Sequence, residues 1–147
     1  MESNTKKIFY WSPSLVNIAT NTAVINSAYS MNRYDKKFDC YIINFFGEFE
    51  RYNSIILNKK IKLINYFNKS IINYLPKYGK IKSRFSFFVI FLMSFFPLKK
   101  LISERKPDYI VIHLITSLPL ILLMLFNFET KFILRISGLP KLTLFRK

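Results

Sequence analysis

Three clusters of residues have types and positions suited to binding chemistry. Ser12, Asn17, Thr20 and Asn21 follow the apolar run KIFYW at residues 7–11. His113 closes the run YIVIH at residues 109–113, with Thr116 and Ser117 after it, and Arg135, Ser137 and Gly138 lie at the end of the run KFILRI at residues 131–136. If each run is a strand of a parallel sheet, all three clusters fall at C-terminal strand ends, where such sheets bind ligands. A polar loop entering a helix N-terminus favours anionic groups, because free N–H groups and the helix dipole point outward there. His113, the single histidine, can hydrogen-bond a hydroxyl or a phosphate oxygen. Arg135 can pair with phosphate, and Gly138 lets backbone approach a ligand closely. Each cluster also has a plainer reading: helix capping for the first, a core-edge histidine for the second and a surface ion pair for Arg135.

Other chemistries are poorly supplied. Three glycines cannot build a dinucleotide fingerprint or a P-loop. One His and one Cys leave no conventional zinc site. Cys40 sits in the apolar run FDCYIINFF, reads as a buried structural thiol, and fits a reducing compartment. Glu48 and Glu50 are expected in a solvated turn rather than as an acid/base pair.

The elements that must position these clusters can be read from periodicity and turn signals. Residues 7–11 form a first strand. A helix capped by Thr20 or Asn21 is expected to run to about Met31, burying Ala23, Val24, Ile25 and Ala28. Residues 38–46 form a second strand ended by Gly47. A short third strand lies within residues 61–67, then a loop or broken helix over residues 70–80. Residues 83–106 read as a long helix with a kink or break at Pro97, apolar on nearly every face from Phe85 to Phe96. Strands at residues 109–113 and 131–136 flank a helix that Thr116 and Ser117 can cap, with Pro119 in its first turn. The fold class is α/β, a Rossmann-like parallel sheet with flanking helices, ordered 3-2-1-4-5 or closely so. Ending at residues 131–136, the sheet would present an apolar edge strand prone to aggregation.

Bulk properties fit one such domain. The chain has 147 residues, 51% hydrophobic, with 16 Phe and a net charge of +15. That leaves ample apolar surface for a core and points away from disorder. The charge has three sources to weigh: anionic headgroups or phosphorylated substrates, nucleic acid, or a genome that encodes Lys, Asn, Ile, Phe and Tyr in excess. Lysines are scattered in pairs and no RNA-binding motif occurs, so nucleic acid is disfavoured. The start, MESNTKKIFYW, has no hydrophobic region of a cleaved signal peptide. The run at residues 85–97 is short of the ~20 residues needed to span a bilayer, but suits an interfacial helix. A small basic membrane-surface protein without catalytic activity is therefore one functional reading.

The other comes from a resemblance. SPSLVNIATNTAVINSAYSMNRY (residues 12–34), KPDYIVIHLITSLPLILL (residues 106–123) and KFILRISGLPKLTLFRK (residues 131–147) resemble the N-terminal half of bacterial retaining glycosyltransferases of the GT-B fold, glycosyltransferase family 4. The resemblance implies that residues 1–147 form a partial N-terminal domain that binds the acceptor, a saccharide or lipid-linked saccharide of cell-envelope polysaccharide synthesis. It places Ser12, Asn17, Thr20 and Asn21 near the donor diphosphate and acceptor, and His113, Thr116 and Ser117 on the acceptor side. A nucleotide-sugar would be substrate, with no cofactor or metal. Such a protein would be cytoplasmic, peripheral at the inner face of the plasma membrane. The chain departs from the family in lacking a Gly pair after the first strand, in having Ser137 where many relatives have His, and in lacking the Glu-x7-Glu signature of the donor domain; Glu104 and Glu129 do not supply it. The donor-binding C-terminal domain is a missing partner, and the 147 residues alone are expected to be inactive.

Overall fold

The computed structural model describes residues 5–16, 18–67, 70–114 and 117–135. Five strands among them pair in parallel: β1 (Lys6–Trp11), β2 (Phe38–Asn44), β3 (Lys62–Asn65), β4 (Tyr109–His113) and β5 (Lys131–Arg135). Their order is β3-β2-β1-β4-β5, a Rossmann-like arrangement. Four α-helices among the described residues connect them: α1 (Ala19–Tyr34), α2 (Asn53–Asn58), α3 (Lys80–Arg105) and α4 (Ser117–Leu125).

Strand alternation sends successive side chains to opposite faces of the sheet, and the core divides accordingly. Ile8 and Tyr10 of β1 join Cys40, Ile42, Val24, Ile25 and Ala28 under α1. Phe9 and Trp11 join Ile43, Ile110, Ile112, Ile90, Leu98 and Ile102 under α3 and α4. At the N-terminal edge, Asp108 fastens neighbouring strands: its carboxylate accepts from Lys7 N at 2.8 Å and its carbonyl from Lys131 N at 2.9 Å. Cys40 is fully buried, and burial pushes its thiol up to about 12, so it is an inert core residue.

Several boundaries differ from the expectation for physical reasons. Helix α1 begins at Ala19, so Thr20 and Asn21 lie inside its first turn and cap nothing; the N-cap position is Ile18, without a side-chain cap. Its buried stripe is Asn21, Val24, Ile25 and Ala28, with Asn21 inside and Ala23 only half-buried. The second strand stops at Asn44, whose Oδ1 accepts from Phe49 N at 3.1 Å and bends the chain away. Helix α3 starts three residues early and runs through Pro97. Proline removes one helical hydrogen bond, but Leu98, Leu101 and Ile102 pack the following turn onto the sheet.

Helix α3 is also far longer than the apolar run at residues 85–97. Its residues Ile81–Arg105 are long and apolar enough to cross a membrane, with mean hydropathy 1.8, yet one side is built into the core. The other side is not. Ile81, Phe85, Phe88, Leu92 and Phe96 are exposed, the last two phenylalanines by 57% and 72%. Spaced by three or four residues, they share one face.

Candidate functional site

The sheet reverses its winding direction between β1 and β4, and a cleft is expected at the C-terminal ends of those strands. A cavity of about 210 Å³ opens there. Ala19, Thr20 and Ala23 of α1 line one wall, His113 and Leu114 at the end of β4 another, and Arg135 of β5 a third. His113 and Arg135 are partners in the β4–β5 register, so their side chains leave the same face of the sheet. His113 is 3% exposed. Burial first, and the neighbouring Arg135 charge second, hold its imidazole below the usual histidine range. It is therefore neutral at neutral pH, with one nitrogen able to donate and the other to accept. Arg135 is exposed and α1 lacks a side-chain cap. A guanidinium, a neutral imidazole and an open helix start together suit an anionic oxygen ligand.

Of the ten residues expected at a site, Thr20, His113 and Arg135 meet in this cavity. Ser12 and Asn21 are instead fully buried and turned toward each other. Asn21 Oδ1 accepts from Ser14 Oγ at 3.0 Å and from Ser12 Oγ at 3.4 Å, while its Nδ2 donates to Ser14 Oγ at 2.8 Å and to the Glu48 carbonyl at 3.3 Å. This knot ties the loops after β1 and β2 together beneath α1. Ser117 is the exposed first residue of α4 and does not line the cavity. Asn17, Thr116, Ser137 and Gly138 lie outside the described residues.

Glu48 corrects the expectation of a solvated turn. It is 5% exposed. Burial raises its carboxyl to about 7, with the amides of Glu48, Phe46 and Gly47 partly offsetting the effect. Oε2 accepts from Phe46 N at 2.8 Å, whereas Oε1 is buried without a hydrogen-bond partner. The only local signal was Gly47, which sits at φ +87° and turns the chain back inward after β2.

Glu48 lines a second cavity at the same edge of the sheet, about 290 Å³, with Ser14, Glu50, Arg51, Ser70 and Tyr78 among its walls. A larger cavity of about 630 Å³ lies at the opposite edge, between the end of α3 and the segments entering β4 and β5. That is the N-terminal edge, where parallel sheets do not place ligands. Among the described residues, those lining it hold no buried polar side-chain atom without a partner. The chain matches no protein-family model, no curated protein and no solved structure. Its topology establishes a Rossmann-like α/β fold and no narrower family.

Proposed function

We propose that this chain is the acceptor-side α/β half of a sugar-transferring enzyme of GT-B type, with a nucleotide-sugar as donor. The observation that carries the reading is the convergence of Thr20, His113 and Arg135 at the β1/β4 switch point, and the sequence resemblance supports it. Arg135 and the amides of the first turn of α1 offset negative charge on a phosphate-bearing group, while neutral His113 hydrogen-bonds it without adding charge. A second α/β half, not contained in these 147 residues, binds the nucleotide and supplies most of the stabilisation of the departing diphosphate.

Amide chemical shifts test the phosphate side. Inorganic pyrophosphate is expected to shift Thr20, His113, Leu114 and Arg135, and Arg135→Ala to weaken binding by about tenfold, the worth of a charge-assisted contact. No response at these residues would sink the reading. Offered UDP-glucose or GDP-mannose with a saccharide acceptor, the chain alone is expected to give no transfer; turnover would show that the donor half is not needed.

A second reading, a role at an anionic membrane surface, rests on a separate observation. The exposed phenylalanines of α3 lie between Lys82 and Arg84 at one end and Lys99 and Lys100 at the other. On α4, Leu120, Leu123, Met124 and Leu125 are also exposed, and α4 carries no charged residue. An apolar band with basic ends is the pattern of a helix lying in the headgroup region. Docking by this face is compatible with sugar transfer to a lipid-linked acceptor, and equally with a protein that has no catalytic activity.

A further inference from the structure

The cavity beside Glu48 contains polar groups that neither the fold nor the His113 cleft uses. Its floor is set by Gly47. A methyl group built on Gly47 would overlap Ser70 Oγ and lie 2.9 Å from Glu50 Oε1, so the absence of a side chain lets Ser70 pack directly onto the turn beside Glu48. Phe46 holds the far wall, because its carbonyl accepts from Ile72 N at 3.1 Å and draws the segment before α3 against the end of β2. Within this frame two buried oxygens lack partners, Glu48 Oε1 and Ser70 Oγ. Buried polar atoms in folded proteins are almost always paired, and leaving one unpaired costs about 1–3 kcal/mol. Both residues line this one cavity, and a ligand group that reaches these two oxygens would complete them.

The rest of the lining narrows the ligand class. Glu48 and Glu50 oppose a phosphate or carboxylate. Arg51 and Lys77 oppose a cation, and no group of three or more potential metal ligands occurs among the described residues. Charged groups of both signs at the walls disfavour a strongly charged ligand of either sign, which favours a neutral ligand with many hydroxyls. Tyr78 lines the cavity and is strongly exposed, so its ring is free to cover the apolar face of a flat molecule. The volume, about 290 Å³, is at the small end of ligand sites and suits one ring rather than a nucleotide.

We propose that this cavity binds a neutral pyranose, with Glu48 Oε1 and Ser70 Oγ taking its hydroxyls and Tyr78 stacking on its ring. The inference rests on the sugar-transfer reading and deepens it: the saccharide sits at the ends of β2 and β3, and the phosphate at the ends of β4 and β5. The two sites share no lining residue, so each can fail alone.

The test titrates the 15N-labelled chain with methyl glycosides of glucose, mannose, galactose and N-acetylglucosamine, separately, up to about 50 mM, a range that captures millimolar affinity. At least one is expected to shift the amides of Gly47, Ser70 and Asn73 while leaving Thr20 and Arg135 unmoved. Ser70→Ala and Glu48→Gln are each expected to weaken that glycoside by about fivefold, the worth of one hydrogen bond, and Tyr78→Ala, at an exposed position, provides a variant that does not disturb the interior. The proposal is overturned if no glycoside shifts these amides, if the shifts persist at unchanged affinity in all three variants, or if inorganic phosphate or magnesium shifts them and the glycosides do not. Pyrophosphate shifting Thr20 and Arg135 with no glycoside response would remove this site and leave the phosphate site standing.

Discussion

Helices α1 and α3 cover opposite faces of one sheet and distribute polarity in opposite ways. Outward positions of α1 are polar, with Thr22, Asn26, Ser30 and Arg33 exposed, and its one buried polar residue, Asn21, is bonded within the fold. Helix α3 buries Ser86 and Ser94 among its core residues, each satisfied by a backbone carbonyl, and exposes phenylalanines. The α1 face is complete against water. The α3 face is complete only against something apolar, because exposed contiguous apolar stripes of this kind mark contact surfaces. The His113 cavity thus lies beside the helix finished for water, and the exposed apolar stripe lies on the helix that is not.

The largest effect that would sharpen this contrast is on membrane binding. Phe85→Asp/Phe88→Asp removes two exposed rings from the middle of the stripe. Each ring contributes about 2 kcal/mol when withdrawn from water, so partition to vesicles of equal parts phosphatidylglycerol and phosphatidylcholine should fall by about a thousandfold in a flotation assay. Thr22→Asp/Asn26→Asp on α1 should leave partition nearly unchanged. Equal losses in both variants would reduce the effect to added negative charge and break the distinction. No binding by the unaltered chain would assign the stripe to a protein partner.

A smaller effect separates the two sides of α3 itself. Leu98 is fully buried and Leu92 is 53% exposed. Leu98→Ala should cost about 3 kcal/mol in urea unfolding, as a core cavity does, and Leu92→Ala under about 0.5 kcal/mol. Comparable costs would mean that the outer stripe is packed in solution by a second molecule.

Much of the frame was legible in the residues, and the reasons are local. Strand β4 follows from a near-continuous apolar run bounded by turn residues, as a covered parallel strand should; β5 has the same pattern but lies at the sheet edge, where Ile133 is 47% exposed. The cluster of Thr20, His113 and Arg135 followed from placing polar residues at strand ends. The roles of Asn21 and Glu48 did not follow, because both depend on partners distant in sequence. Asn21 is held by Ser14 and by the Glu48 carbonyl, 27 positions away. The two-sided character of α3 was hidden for a different reason. A helix apolar all round carries no periodic signal to say which face meets the sheet, and its buried serines point the wrong way. Helix α2, six residues long, is too short for periodicity to reveal.

The smallest predicted effect tests the α1 side through protons. The Glu48 carboxyl is raised from 4.5 to about 7 by burial, so between those values the folded chain holds a proton that the unfolded chain has released. Its contribution is fully present below pH 4.5 and is lost as pH rises through 7, worth on the order of 3 kcal/mol. His113 acts with the opposite sign. Its folded value is lowered from 6.5, so the unfolded chain takes up the extra proton, and stability from this group grows as pH rises toward 6.5 and is absent well below its folded value. The two partly cancel, and the net loss between about pH 5 and pH 7.5 should be smaller than the Glu48 contribution alone in urea midpoint measurements. Glu48→Gln removes the first contribution and should leave a chain that is more stable at about pH 7.5 than at about pH 5. If the unaltered chain gains stability over that interval, Glu48 is ionised inside the fold, and the buried polar knot under α1 must hold a charge rather than a neutral acid.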